Sequence, residues 1–187
     1  KKQFGKGAEL RGKTLLIVGF GRIGQSLATY ALGCGMNVQA IDMFTDPVAL
    51  DLNLGNGIQA KASITPSNDL ISALPDADFI SLHIPKQADG SAVISSKEFG
   101  LMKDGVRIIN AARGGVIDEN ELITALDSGK VSYAGLDVFE NEPNPMKELL
   151  NHSKIACTPH IGAATNEAQD RIGTELAQTI ISHFGTK

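Results

Sequence analysis

A continuous apolar run, Thr14-Leu15-Leu16-Ile17-Val18, stops at Gly19-Phe20-Gly21-Arg22-Ile23-Gly24, and a helix-period segment starts inside that turn. A run apolar at every position suits a strand buried on both faces, as a parallel sheet demands. Parallel strands also need long crossovers rather than tight hairpins. The rest of the chain repeats the theme. Asn37 to Asp42, Asp78 to His83, Val106 to Asn110, Val131 to Val138 and Lys154 to Thr158 are further strand-length runs, and Ile58 to Ala62 is a weaker one. Between them lie helix signals. Arg22 to Leu32 sets Ile23, Leu27, Tyr30 and Ala31 on one face and stops at Gly33-Cys34-Gly35. Ser95 to Glu98 and Asp118 to Glu121 read as capping boxes, or close variants, opening short helices. Leu122, Ala125 and Leu126 give the second helix its apolar face, and Gly129 stops it. Ser67 is placed to cap a turn carrying Leu70, Ile71 and Leu74. Thr165 opens the longest helix, with Ala168, Ile172, Leu176, Ile180 and Phe184 recurring at helical spacing. The alternation predicts a single α/β domain over residues 1–187: a doubly wound parallel sheet of Rossmann type with helices on both faces.

Composition narrows the function classes. A net charge of −4, from 17 Lys+Arg against 21 Asp+Glu with no basic block, argues against nucleic acid as a partner. No stretch approaches the roughly 20 apolar residues that span a bilayer, so no membrane partner is expected. The two cysteines, Cys34 and Cys157, offer neither a disulfide framework nor metal-ligand spacing, and no metal site is expected. They read as buried thiols of a cytoplasmic protein. The chain begins with Lys1, without an initiator Met or a signal-peptide pattern, and reads as part of a longer protein.

The glycine turn fits G-x-G-x-x-G in its proper setting of strand before and helix after. Gly19 permits the tight turn, Gly21 lets the backbone approach a pyrophosphate, and Gly24 lets helix and strand pack closely. The free amides near Arg22 and Ile23 would then face phosphates with the favourable end of the helix macrodipole. Asp42, about 20 residues further on, is placed to accept from the adenosine ribose hydroxyls. Its charge would repel a 2′-phosphate, and Met43-Phe44-Thr45 supplies no Arg to receive one, so NAD is expected rather than NADP.

Five unusual polar residues end or follow strand runs. These are His83, Arg113, Asp137, Glu142 and His160. If the strands are parallel, all five share the carboxyl edge with the glycine turn, where open α/β sheets bind ligands. Arg113 sits among small residues, Asn110-Ala111-Ala112-Arg113-Gly114-Gly115, and can grip a carboxylate in two-pronged fashion.

These motifs in this order, with Asp137 to Pro143 and Thr158 to Thr165, resemble the NAD-binding domain of the D-isomer-specific 2-hydroxyacid dehydrogenases. The matching segments also include Lys2-Gln3-Phe4, Glu9 to Thr14, Ser81-Leu82-His83-Ile84-Pro85 and Glu167-Ala168-Gln169, so the resemblance covers essentially the whole chain. It leans to the phosphoglycerate-oxidising branch. The resemblance implies residue roles. Arg113 would hold the substrate carboxylate and carbonyl oxygen, His160 would be the acid/base, and Glu142 its carboxylate partner. Arg22 and Ile23 would contact the pyrophosphate and Asp42 the ribose. Ala111, Ala112 and Asp137 would lie near the nicotinamide ribose and carboxamide. His160, Gly162 and Ala163 would line the nicotinamide side, and His83, Ile84 and Pro85 would belong to the same cofactor site. Lys86 to Gly90 departs from the Thr-containing segment usual in relatives. Glu142 stands where the similar formate dehydrogenases carry a neutral amide, which favours a hydroxy-acid substrate.

The implied activity is NAD-dependent oxidation of a D-2-hydroxy acid, with 3-phospho-D-glycerate giving 3-phosphohydroxypyruvate, as in serine biosynthesis, the first choice. Another 2-hydroxyacid enzyme, such as a glyoxylate, hydroxypyruvate or lactate reductase, is the nearest alternative. An NAD(H)-sensing module like the C-terminal binding protein corepressors, which share the Arg, Glu and His positions, is the other. The resemblance further implies a second domain built from chain outside this segment, and a homo-oligomer paired through the NAD-binding domains.

Overall fold

A computed structural model describes residues 7–185; the Lys2-Gln3-Phe4 match lies outside the described residues. The elements run β1 (Thr14–Val18), α1 (Arg22–Gly33), β2 (Asn37–Ile41), β3 (Val48–Asn53), β4 (Gln59–Ile64), α2 (Leu70–Ala73), β5 (Phe79–Leu82), α3 (Ser96–Leu101), β6 (Val106–Asn110), α4 (Glu119–Asp127), β7 (Val131–Leu136), α5 (Lys147–Leu150), β8 (Ile155–Cys157) and α6 (Asn166–Phe184). The six stronger apolar runs become one sheet in the order β2-β1-β5-β6-β7-β8. Every neighbouring pair in it is parallel. The order reverses at β1, so the crevice between the carboxyl ends of β1 and β5 is the switch point where such sheets bind ligands.

Strand β1 explains why both faces are covered. Its side chains alternate across the sheet. Leu16 and Val18 join one cluster with Ile80, Ile108, Phe99, Leu122 and Leu126. Leu15 and Ile17 join a second with Ala28 and Ala31 of α1 and Leu50, Leu52 and Ile64 of the β3–β4 pair. Leu16, Ile17, Ile80, Leu82 and Ile108 have no exposed surface. Each such side chain contributes about 1.5–3 kcal/mol by leaving water.

Several local expectations are corrected. Of the expected α1 face, Ala31 is buried and Leu27 packs against the core, but Ile23 and Tyr30 are each 71% exposed, and Gly24 and Ala28 are the other buried residues. The helix lies so close to β1 that a methyl on Gly24 would stand 3.1 Å from the Ile17 side chain, so only small residues fit that face. The weak run Ile58 to Ala62 falls largely within β4, which pairs antiparallel with β3, a strand that the apolar-run reading passes over. Leu50 and Leu52 point inward and Ala49, Asp51 and Asn53 outward, and Gly55-Asn56-Gly57, all at positive φ, makes the turn. Asp69 rather than Ser67 caps α2, through Ser72 N–H. The capping box at Ser95 forms. At α4, Asp118 accepts from the Asn120 and Glu121 amides, but its own N–H goes to Ile94 O, so Glu121 makes no return bond. The cysteines are not buried as expected: Cys34 is exposed and Cys157 half-buried. Cys34 stands at the C-cap of α1, between the exposed Gly33 and Gly35. Thr165 caps α6 through the Ala168 amide. Yet Ile172, Leu176, Ile180 and Phe184 are between 48% and 74% exposed, so that apolar face is uncovered among the described residues.

Candidate active site

The parallel sheet places the carboxyl ends of its strands on one rim, and the candidate residues follow from that. Gly19 takes φ 95, and a side chain there would collide with the His83 carbonyl oxygen at 2.5 Å. The His83 amide donates to Val18 O at 2.7 Å, which locks the two loops of the switch point together. At Gly24 an added methyl would lie 2.3 Å from Gly19 O. At Gly21, by contrast, it would meet nothing within 4 Å among the described residues. The protein itself therefore requires glycine at 19 and 24 but leaves the space over Gly21 open. Gly21 is the N-cap of α1, without a side-chain cap bond or an acidic residue in the first turn among the described residues. An anion fits this end of a 12-residue helix by charge and by hydrogen bonding.

Asp42 follows β2 directly. Its Oδ2 accepts from the Phe20 amide at 2.6 Å and its Oδ1 from the Phe44 amide at 3.1 Å. These bonds hold the carboxylate against the glycine turn, and Met43 and Phe44 beside it are 81% and 74% exposed. A dinucleotide's adenosine end would meet an anchored anion flanked by free apolar surface. The cradle, the open position and the anion fit NAD.

Ile23, His83, Ile84, Pro85, Ala111, Ala112 and Arg113 line one depression of about 240 Å³. Arg22, Ile23, His83 and Gly162 share a larger groove of about 740 Å³ with residues of α1 and α6. His83 binds Ser81 Oγ at 2.9 Å, and burial lowers its pKa, so the ring favours its neutral form. The loop after β6 is braced by Asn110, which accepts from the Ala112 amide and donates to Arg113 O at 2.9 Å. Arg113 itself turns Nη1 to Ala112 O at 2.6 Å and is exposed.

Glu142 and His160 meet: Glu142 Oε2 and His160 Nδ1 are 2.8 Å apart. Glu142 Oε1 accepts from the Phe139 amide at 2.9 Å. The bond to His160, then that to Phe139, holds the Glu142 carboxyl below its ordinary pKa. With Nδ1 engaged, Nε2 is the ring nitrogen left to exchange a proton. His160 has φ 55, a left-handed backbone that non-glycine residues seldom adopt. Asp137, 8% exposed, over-determines it. Its carboxylate accepts from Thr158 Oγ1 and from the Ile161 and Gly162 amides at 2.9 and 2.8 Å. Burial pushes its pKa up, but those bonds and the nearby His160 outweigh burial and leave it lowered. Asp137 is thus spent on the turn that carries His160 and Gly162. Ala163 lies exposed in the next turn, closed by Ala164 N–H to Ile161 O at 2.9 Å, and lines neither depression.

The residue reading missed Glu119, which is 5% exposed and accepts from the Glu140 amide. The sequence marks it only as an acidic residue in a helix's first turn. An apolar cavity of about 480 Å³ beside the His160–Glu142 pair, lined in part by Phe139, Pro143, Leu150 and Cys157, was also not foreseen. Among the described residues, no cluster of His, Cys, Asp and Glu could hold a metal, and no helix is long and apolar enough to cross a membrane.

The chain is similar to known proteins along most of its length. Over 180 residues the chain is 44% identical to D-3-phosphoglycerate dehydrogenase 3 of Arabidopsis thaliana, covering 94% of this chain and 28% of the relative. It is 43% identical to the hydroxypyruvate reductase of Thermotoga maritima, covering 96% of this chain and 56% of that one. The chain thus spans about a quarter to half the length of these relatives. The holo D-mandelate dehydrogenase of Rhodotorula graminis superimposes with a TM-score of 0.78 at 32% identity, over 95% of this chain and 49% of that structure. Residues 1–162 match the family model described as D-isomer specific 2-hydroxyacid dehydrogenase, NAD binding domain. Most of the chain is matched and the geometry agrees: it belongs to the D-isomer-specific 2-hydroxyacid dehydrogenases, and NAD is its cofactor.

Proposed function

We propose that this chain is the NAD-binding domain of an enzyme that oxidises 3-phospho-D-glycerate to 3-phosphohydroxypyruvate, with Arg113, Glu142 and His160 as its catalytic residues. The observation that carries the dehydrogenase reading is the 2.8 Å His160–Glu142 bond on the rim that also bears the glycine turn. The similarity to the Arabidopsis phosphoglycerate dehydrogenase supports the substrate. The nearly equal similarity to the Thermotoga hydroxypyruvate reductase makes reduction of hydroxypyruvate the second reading.

Oxidising a secondary alcohol removes a proton from oxygen and a hydride from the same carbon. Bound NAD supplies the hydride acceptor. His160 Nε2 takes the hydroxyl proton, a task suited to imidazole, which both accepts and donates protons readily in water. Glu142 fixes the tautomer through Nδ1 and stabilises the imidazolium that forms. Arg113 orients the carboxylate and opposes charge growing on the substrate oxygen. A homo-oligomer joined through this domain belongs to the same reading, supported by the exposed apolar residues of α1 and α6.

In the complete enzyme, His160→Ala should lower turnover at least about a hundredfold, in line with general acid–base contributions. A variant that keeps most of its turnover removes His160 from the mechanism. A panel of 2-hydroxy and 2-oxo acids then separates phosphoglycerate oxidation from hydroxypyruvate reduction.

A further inference from the structure

Beneath the rim lies a carboxyl that the catalytic reading does not use. Glu119, the first residue of α4, is 5% exposed. Its Oε1 accepts from the Glu140 amide at 2.7 Å, and its Oε2 is buried without a partner among the described residues. The N-cap role at this helix is already filled by Asp118, so Glu119 is not needed there. It reaches instead to the loop after β7.

That loop is where the Glu142–His160 couple is assembled. Glu140 lies between Phe139, whose amide donates to Glu142 Oε1, and Glu142 itself, whose Oε2 meets His160. The same place is where the Arg113 loop touches it. A methyl on Gly114 would sit 1.8 Å from Phe139 O and 2.7 Å from the Glu140 nitrogen, so the two backbones are in direct contact. One further bond at Glu140 therefore fixes the loop against both α4 and the arginine turn.

A buried carboxyl with an idle oxygen is a liability to stability, and an apolar side chain of equal volume would avoid it. What the carboxyl alone provides is an acceptor aimed at one amide. We propose that Glu119 is a positioning residue for the Glu142–His160 couple: its Oε1 pins the Glu140 amide and so holds the 139–142 turn that presents Glu142 to His160. Burial raises the pKa of Glu119, the Glu140 amide works against that rise, and the Glu140 and Asp118 carboxylates reinforce it.

The inference rests on the acid–base reading of Glu142 and His160, and its test needs no turnover. In the 187-residue chain, Glu119→Gln keeps an acceptor at the Oε1 position, whereas Glu119→Met fills the space and removes it. Two readouts apply: hydrogen exchange of the Glu140 amide, and the carboxyl titration of Glu142 by ¹³C NMR. The wild type and the Gln variant should protect the Glu140 amide and keep Glu142 titrating below an ordinary glutamate. The Met variant should speed exchange at that amide at least about tenfold and move the Glu142 midpoint up toward the ordinary value of about 4.3. A folded Met variant with both readouts unchanged overturns the proposal. So does a wild-type Glu140 amide that exchanges as freely as an exposed loop amide, a result that stands even if the Met variant does not fold. An inactive His160→Ala enzyme alongside either result would leave the acid–base reading standing and the clamp refuted.

Discussion

At Gly24 an added methyl would sit 2.3 Å from a backbone carbonyl, whereas at Gly21 it would meet nothing within 4 Å among the described residues. Gly21 also has φ −71, which alanine adopts freely. The two substitutions should therefore part company. Gly21→Ala should leave the unfolding free energy within the ±0.5 kcal/mol usual for uncrowded sites, yet weaken NADH binding, because on the proposed reading the methyl occupies the phosphate approach. Gly24→Ala should cost about 1–3 kcal/mol, the range for overpacking, and weaken binding as well. Equilibrium unfolding and NADH fluorescence titration check both. The glycines and Asp42 were legible because their roles follow from local backbone geometry and a fixed spacing. Glu119 and the binding partners of Asp137 were not, since their hydrogen bonds span 21 or more positions of chain and no residue-type pattern encodes that meeting.

The elements show the same division. All six sheet strands were legible from their unbroken apolar runs, and parallel order from the alternation with helices. The buried face of α1 was half legible: Ala31 is buried and Leu27 packs against the core, but Ile23 and Tyr30 only follow the periodicity, and the close approach to β1 is made by Gly24 and Ala28. The β3–β4 hairpin was signalled by Gly55-Asn56-Gly57 between alternating residues, a pattern of period two that a search for continuous apolar runs passes over. The turn between β8 and α6 depends on Asp137, and its acid sensitivity follows. Asp137 has a lowered pKa in the folded chain. Its stabilisation is present above the unfolded value of about 3.9 and is lost as pH falls from there through the lower folded value. Between pH 5 and about 2, wild-type stability should fall more steeply than that of Asp137→Asn. In the wild type the Ile161 and Gly162 amide resonances should shift below pH 3.9 rather than above it. Chemical unfolding and amide NMR across that range measure the difference.

For the whole molecule, one parallel sheet brings the nucleotide cradle, Arg113 and the His160–Glu142 couple to a common edge, though they lie far apart in sequence. The His160–Glu142 side chains are 50% and 35% exposed, so on the proposed reading the chemistry still lacks a cover that excludes water. The 187-residue chain should bind NADH, seen as enhanced nucleotide fluorescence, but turn over 3-phosphoglycerate or hydroxypyruvate at a small fraction of the complete enzyme's rate. Substantial turnover by this chain alone would contradict the need for a cover. The long axis of α1 offers a way to watch that binding. On the proposed reading its first turn would face the nucleotide; its other end carries the exposed thiol of Cys34, while burial raises the pKa of Cys157 and slows its alkylation. At about 1.5 Å per residue the helix is a rigid rod of roughly 18 Å. A single maleimide dye at its end would stand within energy-transfer range of reduced nicotinamide, an optical ruler already part of the native fold.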